Sequence, residues 1–541
     1  MKLRIVGLLI LTALAGEALA QATERPIPKD WFLLDPQTDS VQGLSVEKAY
    51  RSLLAGRPAR EVIVAIIDSG IDFDHEDLKD VIWNNPHEIP GNGIDDDKNG
   101  YADDVHGWNF IRGKNGNVDA DTYELTREYK RLSLKFGQME EKNVPRKLRA
   151  EYATFQKIKD KYLKLREVNE QQYKVYSHLY RNMKQSVDTL RALLKTTRLT
   201  REAVENFDTP DPNLLFAKGF LMQLFHNAGD DADIDEYLKA AKDGADNFDI
   251  IVNYGYNPDF DSRKIIGDDY ANVNERHYGN ADVKGPDPSH GTHVAGIIGA
   301  NRTNAIGIKG IADHVKLMVV RAVPNGDERD KDIANAIIYA VDNGAHIINM
   351  SFGKDFSPEK AAVDKAVKYA EQHGVLLVHA AGNESDNTDV KKKYPSRYYL
   401  NGKEAKNWIE VGASGWGADG TLAADFSNFG SKTVSFFAPG VDIFSTAPGN
   451  AYSSESGTSF SSPATAGVAA MLMAYFPELT AVQVRQILVS SVRRFDHLKV
   501  KEPGSQKEVN FSELSTSGGL LNAYEAVRLA LTAGDQKLIK K

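Results

Sequence analysis

Short apolar runs alternate with helical patterns along much of this chain, and this alternation limits the folds open to it. Val62–Ile67, Lys316–Val323, Ala345–Met350 and Val375–His379 are mostly apolar, as strands buried on both faces of a parallel sheet are. A segment with helical spacing, Ile333–Asn343, lies between two of these runs. Because parallel strands need crossover connections, the pattern predicts an α/β fold: a mainly parallel sheet with helices on both faces.

Two of the predicted strands end in residues that could carry chemistry. Val62–Ile67 is followed by Asp68, and Val375–His379 is followed by a short run that ends in Asn383. Enzymes with α/β folds place working groups at the C-terminal ends of parallel strands. Since an isolated Asp or Asn at such a place is more often a turn or a helix cap, these residues are candidates that need partners elsewhere.

The stretch Gly457–Pro463 joins a turn-rich segment to the apolar run Ala464–Tyr475. This order predicts a helix with Pro463 in its first turn. Ser459 would then lie at a helix N-terminus, where free N–H groups favour developing negative charge. A serine there is a candidate nucleophile if a base and an orienting group are nearby. The other interpretation is a Ser/Thr-rich cap before a core helix.

Four motifs together resemble those of the subtilisin-like serine peptidases, the subtilases, and they follow that family's order of Asp, His and Ser. The motifs are Asp68–Gly70, His290–Gly296 (HGTHVAG), Ala380–Asn383 (AAGN) and Gly457–Pro463 (GTSFSSP). The resemblance covers roughly residues 61–109 and 268–531. It implies the subtilisin-like fold, a doubly wound and mainly parallel sheet.

The resemblance also implies a role for each motif. Ser459 would attack the scissile carbonyl, and His290 would take its proton and deliver it to the leaving amine. Asp68 would hold the tautomer of His290, and Asn383 would donate to the oxyanion. The implied function is a serine endopeptidase that cleaves peptide or protein substrates through an acyl-enzyme, with no cofactor for catalysis.

Two segments are implied to bind extended substrate. Ser351, Phe352 and Gly353 would form an edge that pairs with the substrate backbone by β-augmentation. The opposite edge, which is glycine-rich in familiar members of the family, is here Gly326-Asp327-Glu328-Arg329-Asp330. We expect an acidic rim at this edge, which would favour Lys or Arg on the acyl side of the cleaved bond.

An acidic loop over residues 91–104 has oxygen-bearing side chains at alternate positions, with Gly100 available for a sharp turn. Chains wrap calcium in this way. The twelfth position of an EF-hand loop would be His106 here, so the closing ligand must be an aspartate just before it or a distant group. A solvated acidic turn is the alternative to a structural calcium site. The candidate ligands are Asp95, Asp97, Asn99, the Tyr101 carbonyl, Asp103 and Asp104.

Residues 119–262 differ from the rest, since they are rich in Lys, Glu, Arg, Gln and Tyr. Apolar residues keep heptad spacing over Phe155–Leu179, Pro145 indicates a helix start, and Leu190–Leu194 and Asn213–Phe225 indicate further helical segments. We predict an inserted helical hairpin or small bundle. It could gate substrate or dock a partner, or it could be a solvated decoration.

The N-terminus has the pattern of a cleaved signal peptide over residues 1–20: a basic start, an apolar run too short to span a bilayer, and Ala18-Leu19-Ala20 as the cleavage site. We therefore expect export to the periplasm or medium and a mature chain without a membrane span. The expected divisions are an N-terminal segment (21–60), a peptidase domain (61–118 and 263–531), the helical insertion (119–262) and a charged end (532–541).

Composition excludes several classes of function. A formal net charge of -9 argues against general nucleic-acid binding. The absence of cysteine excludes disulfides, thiolate zinc sites and cysteine nucleophiles. Two alternatives to a general endopeptidase stay open: a narrow-specificity processing peptidase gated by the insertion, and a catalytically silent binding protein. The four intact motifs argue against the silent protein.

Overall fold

The computed structural model describes residues 27–533, so the predicted signal peptide lies outside the described residues. These residues form two compact units. One unit comprises Leu125–Phe260, and the other comprises Ile27–Glu124 together with residues 261–533. The first unit is helical, and the second contains the large sheet and all four motifs.

The large sheet of the second unit has nine strands within the described residues. In chain order, β1 to β9, they are Val62–Asp68, Gly107–Asn109, Val315–Arg321, Ile347–Met350, Leu376–Ala380, Trp408–Ser414, Phe436–Pro439, Arg493–Arg494 and Gly519–Leu520. Their spatial order is β8-β9-β7-β6-β5-β4-β1-β3-β2. All neighbours run parallel except β8 and β9. The predicted mainly parallel α/β fold is confirmed.

Both faces of the sheet are buried, as the apolar runs predict. Alternate residues of β1 enter two different apolar clusters, Val64 and Ile66 on one side and Ala65 and Ile67 on the other. Helices cover both clusters, because burial on two faces requires a layer on each. The longer helices of this unit are Ser289–Gly299, Asp330–Asp342, Lys360–Gln372, Thr458–Tyr475, Ala481–Ser490 and Ala523–Ala533.

Short elements complete the second unit. Three two-stranded ribbons pair Arg112–Gly113 with Gly116–Asn117, Ile443–Ala447 with Ala451–Glu455, and Lys499–Lys501 with Glu508–Asn510. The short helices are Pro36–Asp39, Val46–Ala49, which continues as a π-helical turn over Tyr50–Leu54, and Arg263–Ile266.

The helical unit is built around one helix of 46 residues, Arg149–Leu194. The sequence predicted a separate helical segment at Leu190–Leu194, but these residues are the end of the long helix. No Gly or Pro interrupts the helix before Lys195, which takes a left-handed conformation and ends it. The other helices are Glu124–Phe136, Arg201–Glu205, Pro212–Ala228 and Ile234–Ile250. Across residues 27–533, no helix has both the length and the apolarity needed to cross a membrane.

Candidate active site

Asp68 and His290 meet at the C-terminal end of the central strand β1. The Oδ1 atom of Asp68 accepts hydrogen bonds from the Ser69 N–H (2.8 Å) and from the Nδ1 atom of His290 (2.7 Å). His290 is the second residue of the helix Ser289–Gly299. A Cβ at Gly291 would lie 2.1 Å from the Gly70 carbonyl oxygen, so glycine is needed for this close approach of helix to strand.

The electrostatic environment shifts the pKa values of His290 and its neighbour His293 in opposite directions. Burial alone would lower the pKa of His290, but the charge and hydrogen bond of Asp68 outweigh it, and the pKa lies above its usual value. Burial lowers the pKa of His293 to about 4, and its Nε2 atom lies 3.3 Å from the Ser453 carbonyl. His293 is therefore neutral near pH 7, whereas His290 holds its proton up to a higher pH than an ordinary histidine does.

Ser459 is the second residue of the helix Thr458–Tyr475, which we call the serine helix. Its Oγ atom donates to the Ser351 carbonyl (3.1 Å), and within the described residues it makes no hydrogen bond to His290. The adjacent Phe460 ring lies against both histidines, with centroids 5.7 Å from His290 and 4.5 Å from His293. Ser459 thus lies at a helix N-terminus, as predicted.

Pro463 is the sixth residue of the serine helix, so the prediction that it lies in the first turn is wrong. A proline at this depth has no N–H for the carbonyl four residues earlier, which belongs to Ser459. The Ser351 hydroxyl donates to that carbonyl instead (2.7 Å). Two hydrogen bonds therefore join Ser351 to Ser459, and a proline inside the helix is tolerated because its missing donor is replaced.

Asn383 follows β5 and has one end of its side chain fixed. Its Oδ1 atom accepts from the backbone N–H and from the hydroxyl of Thr458, each at 2.9 Å. The Nδ2 atom is left as the donor end, and it lies 3.5 Å from the position that a Cβ on Gly457 would occupy. This arrangement aims an amide donor at the entrance of the serine helix.

A cavity of about 100 Å³ opens beside Ser459. Ser351–Gly353 lines one part, residues 379–384 line another, and Thr458 and Lys393 complete it. The predicted substrate edge and the predicted oxyanion donor therefore border the same cavity as Ser459. His379, Glu384 and Lys393 also line the cavity, although no motif role marks them in the sequence.

Comparison with known proteins decides the family, since the family model described as "Subtilase family" matches residues 59–512. The chain belongs to the subtilase family. It is 41% identical over 222 residues to the thermophilic serine proteinase of Bacillus sp. (strain AK1), which covers 41% of this chain and 49% of that protein. It is 38% identical over 206 residues to subtilisin DY of Bacillus licheniformis, which covers 37% of this chain and 69% of that protein.

This subtilase spans about half the length of the first of these relatives. Among solved structures, a protease from Pseudoalteromonas arctica PAMC 21717 aligns at 28% identity over 46% of this chain and 72% of that one, with a TM-score of 0.37.

The edge at Gly326 differs from the expectation of an acidic rim. Glu328 and Asp330 are 2% and 3% exposed, because Asp330 begins the helix Asp330–Asp342 and pairs with Lys354 at 2.8 Å. Burial raises the pKa of Glu328 to about 7. Two of the three carboxylates expected at this rim are thus buried, and Asp327 alone of the three is half-exposed. The preference for Lys or Arg stays a prediction. Gly326 and Asp327 do not line the cavity beside Ser459.

The acidic loop of the subtilase brings together only part of the predicted ligand set. Asp95 and Asp97 have carboxylate oxygens within 4.8 Å of one another and of Glu88, which the sequence analysis missed. Asp103 instead accepts from the backbone N–H groups of Gly91 and Gly93, each at 2.8 Å. Glu88 lies before the loop and outside its alternating pattern of acidic residues, so the spacing of the loop residues does not indicate it.

Two of the remaining predicted ligands, Asp104 and Asn99, have side chains held by other contacts, and within residues 27–533 no contact tests the Tyr101 carbonyl. Burial raises the pKa of Asp104 to about 6, and its carboxylate accepts from the Tyr339 hydroxyl at 2.7 Å. Asn99 donates to Asp97 and to Asp104. The Tyr101 side chain is buried, and its hydroxyl donates to the Arg276 carbonyl. These side chains are therefore held both by partners within the loop and by Tyr339 and Arg276 outside it.

Proposed function

We propose that this subtilase is a serine endopeptidase that works through Asp68, His290 and Ser459. The observation that carries the proposal is the 2.7 Å hydrogen bond between His290 Nδ1 and Asp68, next to the helix start that bears Ser459. The names of its relatives, a serine proteinase and a subtilisin, support the same reaction class. Peptides and proteins are the substrates.

In the proposed reaction, the Ser459 hydroxyl turns from the Ser351 carbonyl to the free Nε2 atom of His290. Nε2 takes the hydroxyl proton as Oγ forms a bond to the carbon of the scissile carbonyl. The π electrons of that carbonyl move onto its oxygen, which becomes an oxyanion. Asn383 Nδ2 and the Ser459 backbone N–H donate to that oxyanion. His290 then gives the proton to the departing amine, which leaves an acyl-enzyme, and water repeats the cycle to release the acid.

The substrate chain would run along Ser351–Gly353, where an extended peptide can add to the exposed backbone. A direct test is cleavage of casein and of a mixed fluorogenic peptide library by the chain from Gln21 to Lys541. A general endopeptidase cleaves both. Cleavage of a few peptides without casein would favour the narrow processing enzyme, and no cleavage of either would contradict the proposal.

Replacing Asn383 with alanine is expected to lower kcat about 10²- to 10³-fold, the scale for loss of one oxyanion donor in this family. KM should change little, because the donor acts chiefly on the charge that develops in the transition state. Steady-state kinetics with one fluorogenic peptide measures both constants. Asn401→Ala, at an exposed asparagine outside the cavity, is the matched control. An unchanged kcat in Asn383→Ala would rule out this role.

We propose that Glu88, Asp95 and Asp97 hold a structural calcium ion. Three carboxylates with oxygens within 4.8 Å of one another, one of them on the buried Glu88, are the ligand type that calcium prefers. Asn99 and Asp104 lie within the same hydrogen-bond network. Asp103 is not part of this proposal, because it does not belong to the group of carboxylates whose oxygens lie within 4.8 Å of one another.

Removing calcium with EGTA is expected to lower Tm, because an ion that binds only the folded state at 100 times its Kd adds about 2.7 kcal/mol to the free energy of unfolding. Calorimetry with and without calcium measures the shift. Glu88→Gln should shrink it, and Asp231→Asn, at an exposed aspartate of the helical unit, should not. The same Tm in calcium and in EGTA would show that the loop is a solvated turn.

We also propose that the subtilase is exported and acts outside the cytoplasm. The basic start, short apolar run and small-residue cleavage site of residues 1–20 support this. N-terminal sequencing of the protein recovered from the periplasm or the medium should begin at Gln21. Recovery of a chain that still starts at Met1 in the cytoplasm would contradict export.

A further inference from the structure

The cavity beside Ser459 contains a histidine that the proposed mechanism does not use. His379 lies on β5, is 1% exposed and forms part of the cavity lining. A Cβ added to Gly353, on the cavity wall, would lie 3.7 Å from the Nε2 atom of His379. The imidazole edge therefore faces the wall along which the substrate is proposed to run.

One side of the His379 ring is fixed by a carboxylate on the neighbouring strand. Nδ1 lies 2.9 Å from Oε1 of Glu410, and the other oxygen of Glu410 accepts from the indole N–H of Trp408 at 2.7 Å. The ring also packs against Trp408, with centroids 5.2 Å apart, and against Phe352, with centroids 6.3 Å apart. Glu410 and the two aromatic rings thus set both the orientation and the tautomer of His379.

The other nitrogen of His379, Nε2, is buried and makes no hydrogen bond of ordinary geometry within the described part of the chain. The Phe352 carbonyl lies close enough to contribute to the raised pKa of His379 but does not satisfy Nε2. Buried polar atoms are nearly always paired, so one left unpaired in a cavity lining is best explained by a group that arrives from outside. With Nδ1 committed to Glu410, only Nε2 is able to contact that group.

The charges around His379 favour its protonated form. Burial alone would lower the pKa of His379, but the charge and hydrogen bond of Glu410 outweigh it. The more distant charge of Glu328 and the Phe352 carbonyl act in the same direction, so the pKa is raised. The other charged groups at the cavity are Glu384 and Lys393, and Lys393 is paired with Asp355 (2.8 Å) and Glu384 (2.9 Å).

We propose that His379, oriented by Glu410, makes this cavity select a substrate side chain that ends in an acceptor oxygen, the carboxamide of glutamine or the carboxylate of glutamate. The side chain is that of the residue before the cleaved bond, since the cavity adjoins Ser459. The proposal rests on the proposed peptidase function. A volume of about 100 Å³ holds several water molecules, and so admits a side chain of moderate size.

Glutamine and glutamate should respond differently to pH. Protonated His379 donates from Nε2 and suits either oxygen. As pH rises through the raised pKa of His379, Nε2 loses its proton and becomes an acceptor. A carboxylate has no proton to donate to it, whereas a carboxamide can turn its NH₂ group inward and donate. The rate ratio of glutamate to glutamine peptides should therefore fall with increasing pH. Taking ratios cancels the separate effect of pH on His290.

The test compares kcat/KM for quenched fluorogenic peptides that differ only in Gln, Glu, Leu or Met before the cleaved bond. We expect Gln to exceed Leu and Met by roughly tenfold or more, because a site built for a hydrogen bond rejects the analogue that lacks it. His379→Phe should reduce the Gln-to-Leu ratio at least tenfold. His373→Phe, at an exposed histidine beyond the helix Lys360–Gln372, should leave the ratio unchanged.

Two further measurements keep the inference separate from folding and from the peptidase proposal. If His379→Phe does not fold, Glu410→Gln takes its place. This change lowers the pKa of His379, so the fall in the glutamate-to-glutamine rate ratio should occur at lower pH. If no peptide is cleaved, the peptidase proposal fails. The role of His379 is then tested by measuring, with calorimetry, how tightly the peptides bind to the Ser459→Ala variant. Peptides ending in Gln should bind about tenfold more tightly than those ending in Leu. Equal cleavage or binding of Gln and Leu peptides would overturn the role of His379.

Discussion

Replacing Ser459 with alanine is expected to reduce kcat on peptide substrates roughly 10⁶-fold, the scale known for the nucleophile of subtilisin. The loss is this large because the other groups of the site cannot form the acyl bond. Folding should be nearly unaffected, since the side chain is half-buried and its hydroxyl makes one neutral hydrogen bond, to the Ser351 carbonyl, with a net value of about 1 kcal/mol.

Active-site titration and steady-state kinetics on purified protein would measure this loss. Ser454→Ala is the control, because Ser454 is an exposed serine on the ribbon Ala451–Glu455, which ends shortly before the serine helix. Its kcat should match the wild type. If Ser459→Ala kept a tenth of the wild-type kcat with the same peptide, a different residue would be the nucleophile, and the proposed triad would be wrong.

Replacing Asp68 with asparagine is expected to lower kcat about 10⁴-fold and to move the acid limb of the pH profile to lower pH. The asparagine can orient Nδ1 of His290 only in the wrong tautomer. It also removes the charge that raises the pKa of His290. Because the base must be neutral, activity rises as pH passes the pKa of His290, and a lower pKa brings that rise to lower pH.

The dependence of kcat/KM on pH tests both parts of this prediction. Asp287→Asn provides a graded control, since Asp287 also raises the pKa of His290 but does so less than Asp68 does. It should shift the acid limb slightly in the same direction and leave the maximal rate near that of the wild type. An acid limb that stayed in place in Asp68→Asn would mean that a group other than His290 is the titrating base.

The sequence predicted the strands well because burial on both faces leaves an unambiguous apolar signal. Val62–Ile67 became β1, Val62–Asp68. The residue pattern also favours a strand over Thr433–Phe437, but the strand in this part of the chain is Phe436–Pro439. Thr433 bonds to Asp389 through both its N–H and its hydroxyl, and such a side-chain contact from a distant loop leaves no local pattern.

The candidate site was predictable only where motifs specified it. Asp68 and His290 come within hydrogen-bond distance as the motifs imply. The partners of the other groups depend on how strands are placed next to one another. Glu410 reaches His379 because β6 lies beside β5, and the Ser351 hydroxyl reaches the Ser459 carbonyl across 108 residues of sequence. Single-residue identities do not encode such neighbours.

β1 pairs only with strands that come much later in the sequence, and this limits how early β1 can join the sheet. Its partners on either side, β3 and β4, are complete only after Arg321 and Met350 have been synthesised. At 5 to 20 residues per second, the interval from Asp68 to Met350 is roughly 15 to 55 s. β1 can gain neither of these neighbours until most of that interval has passed, so the hydrogen bond from His290 to Asp68 is expected to form late in folding. The helical unit Leu125–Phe260 lies within this interval and has its own local contacts. It can be complete before β1 has found a neighbour.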